Sequence, residues 1–155
     1  MPTDRVAERN RARLQTCIKQ SAATGRTLYF PPGTYHVNGT LKVQQGGYTF
    51  RGANRETTKI VETTSSVNLF EAKTPTGGPL NHLTFSSLQL SYSTPDATGT
   101  ALNCTSCWRT FLENMAFGST RAGAHMGGTG VSVVRGNQFR IVDGCSSAGV
   151  RRAVL

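Results

Sequence analysis

Acidic residues are scarce in this chain: 8 Asp and Glu stand against 17 Lys and Arg in 155 residues, for a net charge of +9. Long apolar runs are missing too. No stretch approaches the roughly 18 uninterrupted apolar residues of a membrane-spanning helix, so no membrane partner is expected. The opening segment is charged and lacks the apolar centre of a secretory signal. Either the protein reaches its destination by another route or a leader has been lost. Runs of Leu and Ala are few, which leaves little room for helix beyond the start. An apolar content of 37 % with 16 % charged residues is too apolar for a disordered chain. At this length one domain with a single core is expected, residues 1–155.

What is plentiful is glycine, 17 residues, together with Thr and Ser, a composition of strands and turns. The positive charge raises the question of a nucleic-acid partner, which needs clustered Lys and Arg. Arg5, Arg9, Arg11, Arg13, Lys19 and Arg26 do crowd the start. The other basic residues are scattered singly, and no DNA- or RNA-binding motif surrounds them. The same long-range field attracts an acidic polysaccharide. Polysaccharide is therefore the expected partner, and nucleic acid is not. Cys104-Thr-Ser-Cys107 is half of a zinc-type spacing without its second half, so neither metal nor cofactor is expected. Cys17, Cys104, Cys107 and Cys145 read as reduced packing residues, with Cys107 and Cys145 the pair most open to another fate.

Residues 4–24 carry the only helical pattern. Leu14, Cys17, Ile18 and Ala22 recur at three- and four-residue spacing, Thr3 or Asp4 can cap the start, and Gly25 ends it. Beyond Gly25 the period shortens. Residues 27–30 read as a strand, and Pro31-Pro32-Gly33-Thr34 as a type II turn with Gly33 at the position that needs positive φ. Further short strands are expected at 35–37, Leu41–Val43, 48–51 and 59–61, separated by Gly- and Asn-containing turns.

The second half decides the architecture. Residues 83–90 can be laid over 110–117 with a shift of 27, and those over 140–147 with a shift of 30. Each segment has an apolar residue third (Phe85, Leu112, Val142) and an apolar or thiol residue sixth (Leu88, Met115, Cys145). A strand–turn–strand unit recurring at this period is the signature of a β-solenoid, whose coils share one core by stacking at roughly 4.8 Å. Ser87, Asn114 and Gly144 fall where each coil bends between two sheets. Asn suits that column because it tolerates the left-handed conformation and its amide can bond along the stack. The amphipathic helix is placed to cover the first coil, whose open edge is otherwise a liability. No matching cap follows the last coil, so the chain is expected to be truncated, with more coils beyond Leu155.

The segments 14–18, Gly25-Arg26-Thr27-Leu28-Tyr29-Phe30-Pro31-Pro32-Gly33-Thr34-Tyr35, Leu41–Val43 and 50–53 resemble the opening of pectate-lyase-superfamily β-helices. The likeness is strongest to those of phage tailspikes and capsule depolymerases, and it is close only over about residues 10–62. The resemblance implies an all-β, right-handed parallel β-helix with an N-terminal capping helix. For tailspikes it further implies a homotrimer on a virion tail that binds or cleaves bacterial surface polysaccharide. It transfers no catalytic residue, because this opening holds no catalytic motif. The positive charge and short length depart from the tailspike pattern.

Glu113 and Asp143 are the candidate catalytic pair. The shift of 30 places them in one column on adjacent coils, and carboxylates about 5–5.5 Å apart suit a retaining glycosidase. Two anions that close also raise one pKa, as an acid catalyst requires. Alternatively both are solvated residues of an outer turn. Among the histidines, His36 and His82 read as surface residues. His125 lies in the Gly-rich stretch 123–128, read as a loop between coils and a candidate substrate contact. Trp108 and Tyr92 are candidate sugar-stacking rings, with core packing as the alternative. Lyases of the resembled superfamily pair a basic residue with calcium-binding acids. Arg109, Arg135 and Arg140 are near suitable faces, but no Asp cluster accompanies them. Three functions fit: a tailspike or depolymerase of the virion tail, a free extracellular polysaccharide lyase or glycoside hydrolase, and a non-catalytic adhesive fibre.

Overall fold

The computed structural model describes residues 4–94, 97–104, 106–118, 120–126, 133–135 and 138–139. It opens with helix α1 (Asp4–Thr24) and then lays down strands in a repeating order. The first circuit gives β1 (Leu28–Phe30), β2 (Gly33–Val37) and β3 (Leu41–Val43). The second gives β4 (Tyr48–Gly52), β5 (Thr58–Glu62), β6 (Phe70–Ala72) and the short β7 (Leu80–Asn81). The third gives β8 (Leu83–Ser86), β9 (Gln89–Tyr92), β10 (Ala97–Cys104) and β11 (Cys107–Trp108). The fourth gives β12 (Phe111–Glu113), β13 (Ala116–Gly118) and β14 (Thr120–Met126), and a fifth begins with β15 (Val133–Arg135) and β16 (Gln138–Phe139).

Strands of like position pair across circuits. The first sheet runs β1-β4-β8-β12-β15, the second β2-β5-β9-β13-β16, the third β3-β6-β10-β14, and β7 pairs with β11 in a small fourth sheet. All of these pairings are parallel. Parallel neighbours need a crossover, and here each crossover is a pass through the other sheets. Among the described residues the protein is thus mostly strand, with one N-terminal helix.

The expected shift of 27 is the observed register: Thr84 faces Phe111, Phe85 faces Leu112 and Ser86 faces Glu113. The shift of 30 is not. Glu113 faces Arg135, so the next circuit is 22 residues long (135 − 113). Leu102 faces Ala124, also 22 residues on (124 − 102).

Strand alternation sends one set of side chains inward. Phe50 and Phe85 stack with ring centroids 4.4 Å apart and planes 3° apart, and Phe70 of the third sheet meets both edge-on at 5.5 and 5.4 Å. Leu41, Ile60, Leu83, Leu90, Leu102 and Leu112 complete a core closed to solvent. Each circuit contributes only a few of these side chains, so the core exists only because circuits stack.

Helix α1 lies across the open edge of the first circuit. Ala7 and Ile18 are buried, and Leu14 and Ala22 pack against the core. Its polar side chains supply what a missing strand would: Gln15 donates to the Lys42 carbonyl at 2.9 Å and accepts the Lys42 N–H at 2.8 Å, while Asn10 donates to the His36 carbonyl. Gly25, with φ of 65°, turns the chain out of the helix. No helix among the described residues is long and apolar enough to cross a membrane.

Three local expectations are corrected. Gly33 has φ of 157° and begins β2, its N–H donating to the Thr57 carbonyl, so pairing with the next circuit replaces the type II turn. Cys104 and Cys107 are joined in a disulfide, with Cα atoms 5.8 Å apart; the bend from β10 to β11 points both inward, where they meet. Cys17 is free but only half-buried, because Ile18 takes the inward position. Cys145 and Gly144 lie outside the described residues.

Candidate functional site

The outer face of the first sheet carries the residues that flank the inward Phe50, Phe85 and Leu112. Register places Tyr29, Arg51, Ser86 and Glu113 in one column and Thr49, Thr84 and Phe111 in the next. A groove of 540 Å³ runs over them, lined by Thr27, Thr49, Arg51, Thr84, Ser86, Ser87, Glu113 and Asn114. Tyr29 and Phe111, on the same face, are 53 % and 39 % exposed.

The wall of this groove is set by a bend. Ser87 and Asn114 adopt positive φ, 56° and 51°, where the chain passes from the first sheet to the second. Asn114 Nδ2 donates to Ser87 Oγ at 3.2 Å, and the Ser87 N–H donates to the Glu113 carbonyl. The expected Asn column is therefore present, and it fixes the backbone beside Glu113.

Glu113 is exposed and is the only carboxylate lining the groove among the described residues. Arg51 lies two strands away, roughly 9–10 Å at the usual strand spacing. The lining hydroxyls and amide both donate and accept, as a polyhydroxylated ligand demands. The guanidinium can pair with an anion in a bidentate way, and the carboxyl can exchange a proton. Among the described residues no three His, Cys, Asp or Glu side chains gather as a metal site would need.

The family described as rhamnogalacturonase A/epimerase, pectate lyase-like, matches residues 4–150. The chain belongs to this pectate lyase-like family. No curated protein and no solved structure matches it.

In this pectate lyase-like chain the candidate residues do not converge on one site. Glu113 is in the groove, but its in-register neighbour on the following circuit is Arg135; the expected pairing with Asp143 fails because that circuit is shorter than thirty residues. Asp143 itself lies outside the described residues. Tyr92 is no sugar platform. It is 3 % exposed, its hydroxyl lies 2.7 Å from the Val67 carbonyl and 3.0 Å from that of Thr100, and it accepts the Leu69 N–H. Burial, helped by the charge of Glu62, pushes its pKa above the ordinary value despite the Leu69 bond. Tyr92 is a polar pin inside the core. His125 is not in a loop: β14 continues through it, and its backbone pairs with Asn103 in the third sheet. Trp108 is 42 % exposed and stands in register with Asn81 on the small fourth sheet, apart from the groove.

Two residues escaped the sequence reading. Arg51 belongs to the Glu113 column, but it precedes Ser86 by 35 residues (86 − 51), a spacing unlike the 27 that follows. Glu62 ends β5 wholly buried. Its Oε1 accepts the N–H groups of Gly39 and Thr64 at 2.8 Å, while Oε2 has no partner among the described residues. Burial raises its pKa, against the lowering effect of those bonds. Its place at the end of a strand, before Thr63-Thr64, was the available signal for a turn-holding acid.

Proposed function

We propose that this chain is a right-handed parallel β-helix that binds polysaccharide in the groove of the first sheet and hydrolyses it, with Glu113 donating a proton to the glycosidic oxygen while water adds its hydroxyl to the anomeric carbon and gives up a proton to solvent. The observation that carries the reading is Glu113 set in a groove otherwise lined by Thr, Ser, Asn and Arg51. Handedness rests on the general right-handed sense of strand–crossover–strand connections. The family description, which names a rhamnogalacturonase, supports a polysaccharide substrate, and the net charge of +9 favours an acidic one. The likeness of the opening to tailspikes supports a finer reading: a trimer on the virion tail that acts on bacterial surface polysaccharide.

The test is release of reducing ends from a panel of acidic capsular polysaccharides by the wild-type protein and by Glu113→Gln. The variant is expected to keep binding and to lose release by about 10²-fold or more, in the range of general-acid catalysis. Release at the wild-type rate would remove Glu113 from the chemistry. Light scattering checks the finer reading: a concentration-independent trimer supports the tailspike role, and a monomer favours a free enzyme.

A further inference from the structure

We propose that Arg109, His82 and Trp108 form a second subsite, separate from the Glu113 groove, that binds the carboxylate of an acidic sugar. The inference deepens the polysaccharide reading and rests on it. The site lies where the small fourth sheet turns into the first sheet, at the end of β7 and of β11.

The backbone there is the starting point. His82 and Arg109 both have positive φ, 58° and 51°, and the His82 N–H donates to the Trp108 carbonyl. One circuit earlier the same bend is made by Gly47, with φ of 88°, whose N–H donates to the Asn81 and His82 carbonyls. Glycine suffices for the turn. Two long polar side chains in a conformation that disfavours them need a reason beyond folding.

Their side chains supply it. Arg109 Nη1 lies 3.2 Å from His82 Nε2. A guanidinium has only donors, so Nε2 accepts and the imidazole carries its proton on Nδ1. The contact steadies the guanidinium and leaves its other N–H groups for a ligand. Beside the pair is a cleft of 380 Å³ lined by Gln44, Gln45, Asn81 and His82 among others. Gln44 and Thr74 also line a neighbouring cleft of 280 Å³ that holds Lys42, Lys73 and Glu71. Two cations, Lys42 and Lys73, thus stand there against one described carboxylate, Glu71. Trp108 stands one strand along from Asn81 with its side chain outward. A flat ring, side-chain amides and a cationic fork match the apolar face, the hydroxyls and the carboxylate of one sugar acid.

Calorimetry with a short oligouronide and its fully methyl-esterified counterpart tests this. The wild-type protein is expected to prefer the free acid. Arg109→Gln should weaken binding of the acid by about tenfold or more, to the level of the ester, in keeping with the strength of charge-assisted bonds. Trp108→Ala should weaken both ligands. Unchanged circular dichroism and Tm show that each variant is folded. Equal wild-type binding of acid and ester, binding of neither, or an Arg109→Gln affinity equal to wild type would overturn the subsite. If Thr84→Trp, which fills the groove of the first sheet, alone removes binding, the corner is excluded and the groove stands.

Discussion

At the bend between the first and second sheets, Ser87 and Asn114 adopt φ of 56° and 51°. At the bend between the small fourth sheet and the first, His82 and Arg109 adopt 58° and 51°. The backbones are alike, but the side chains answer to different demands. Ser87 and Asn114 are half-buried and bond to each other along the stack, so their chemistry is spent on holding the bend. His82 and Arg109 are exposed, and their contact with each other is at the surface, where it adds little stability. One bend is built for the fold. The other keeps the same fold while presenting groups to solvent.

The largest effects are expected at the glycines one circuit before these bends. A Cβ at Gly46 would land on the Asn81 carbonyl, and one at Gly52 on the Ser87 carbonyl. Backbone cannot yield as a side chain does, so Gly46→Ala and Gly52→Ala should each destabilise by about 2–3 kcal/mol, read from urea unfolding. Similar losses at both sites mean that the two bends are equally needed by the fold.

A sharper contrast lies in the left-handed residues themselves. Asn114→Ala removes the ladder bond and leaves a residue less tolerant of positive φ, for an expected loss of about 1–2 kcal/mol. Arg109→Ala removes only an exposed contact and should stay within about 0.5 kcal/mol. Equal losses in the same urea titration would erase the distinction between a structural bend and a presenting one.

The smallest effect concerns a third bend, between the second and third sheets, where buried Glu62 accepts the N–H groups of Gly39 and Thr64. Its pKa is raised above the ordinary 4.5 by burial. A carboxyl raised in the folded state adds stability that is full below the unfolded pKa and is lost as pH rises through the folded one. Wild type should therefore lose stability from acidic towards neutral pH relative to Glu62→Gln, whose amide oxygen can still accept the two N–H groups. Denaturation midpoints across that range check the sign; parallel profiles would contradict it.

Much of this was legible in the sequence. The helix at residues 4–24 was marked by its apolar spacing and by Gly25. The shift of 27 between the β8 and β12 segments was visible because Phe85 and Leu112 keep the same inward place. The Asn column followed from the left-handed tolerance of Asn114. The rest was hidden by unequal circuits. Along the first sheet the in-register spacings are 22, 35, 27 and 22 residues, taken from Leu28 to Phe50, Phe50 to Phe85, Phe85 to Leu112 and Leu112 to Val134. A constant period cannot follow them. It put Asp143 beside Glu113 and missed Arg51. Tyr92 was misplaced because an aromatic at a strand end reads alike whether it faces in or out, and only the carbonyls of Val67 and Thr100 reveal the pin. The glycines around His125 suggested a loop, yet residues 120–126 pair with β10 as a strand.

Polysaccharide binding in the groove of the first sheet is tested most directly by calorimetric titration of an acidic polysaccharide into wild type and into Thr84→Trp, which fills that groove at an outward position. The substitution is expected to abolish binding at that groove and to stop release of reducing ends, while circular dichroism stays unchanged. Undiminished binding and release by Thr84→Trp would contradict it, and would move the polysaccharide site elsewhere on the molecule.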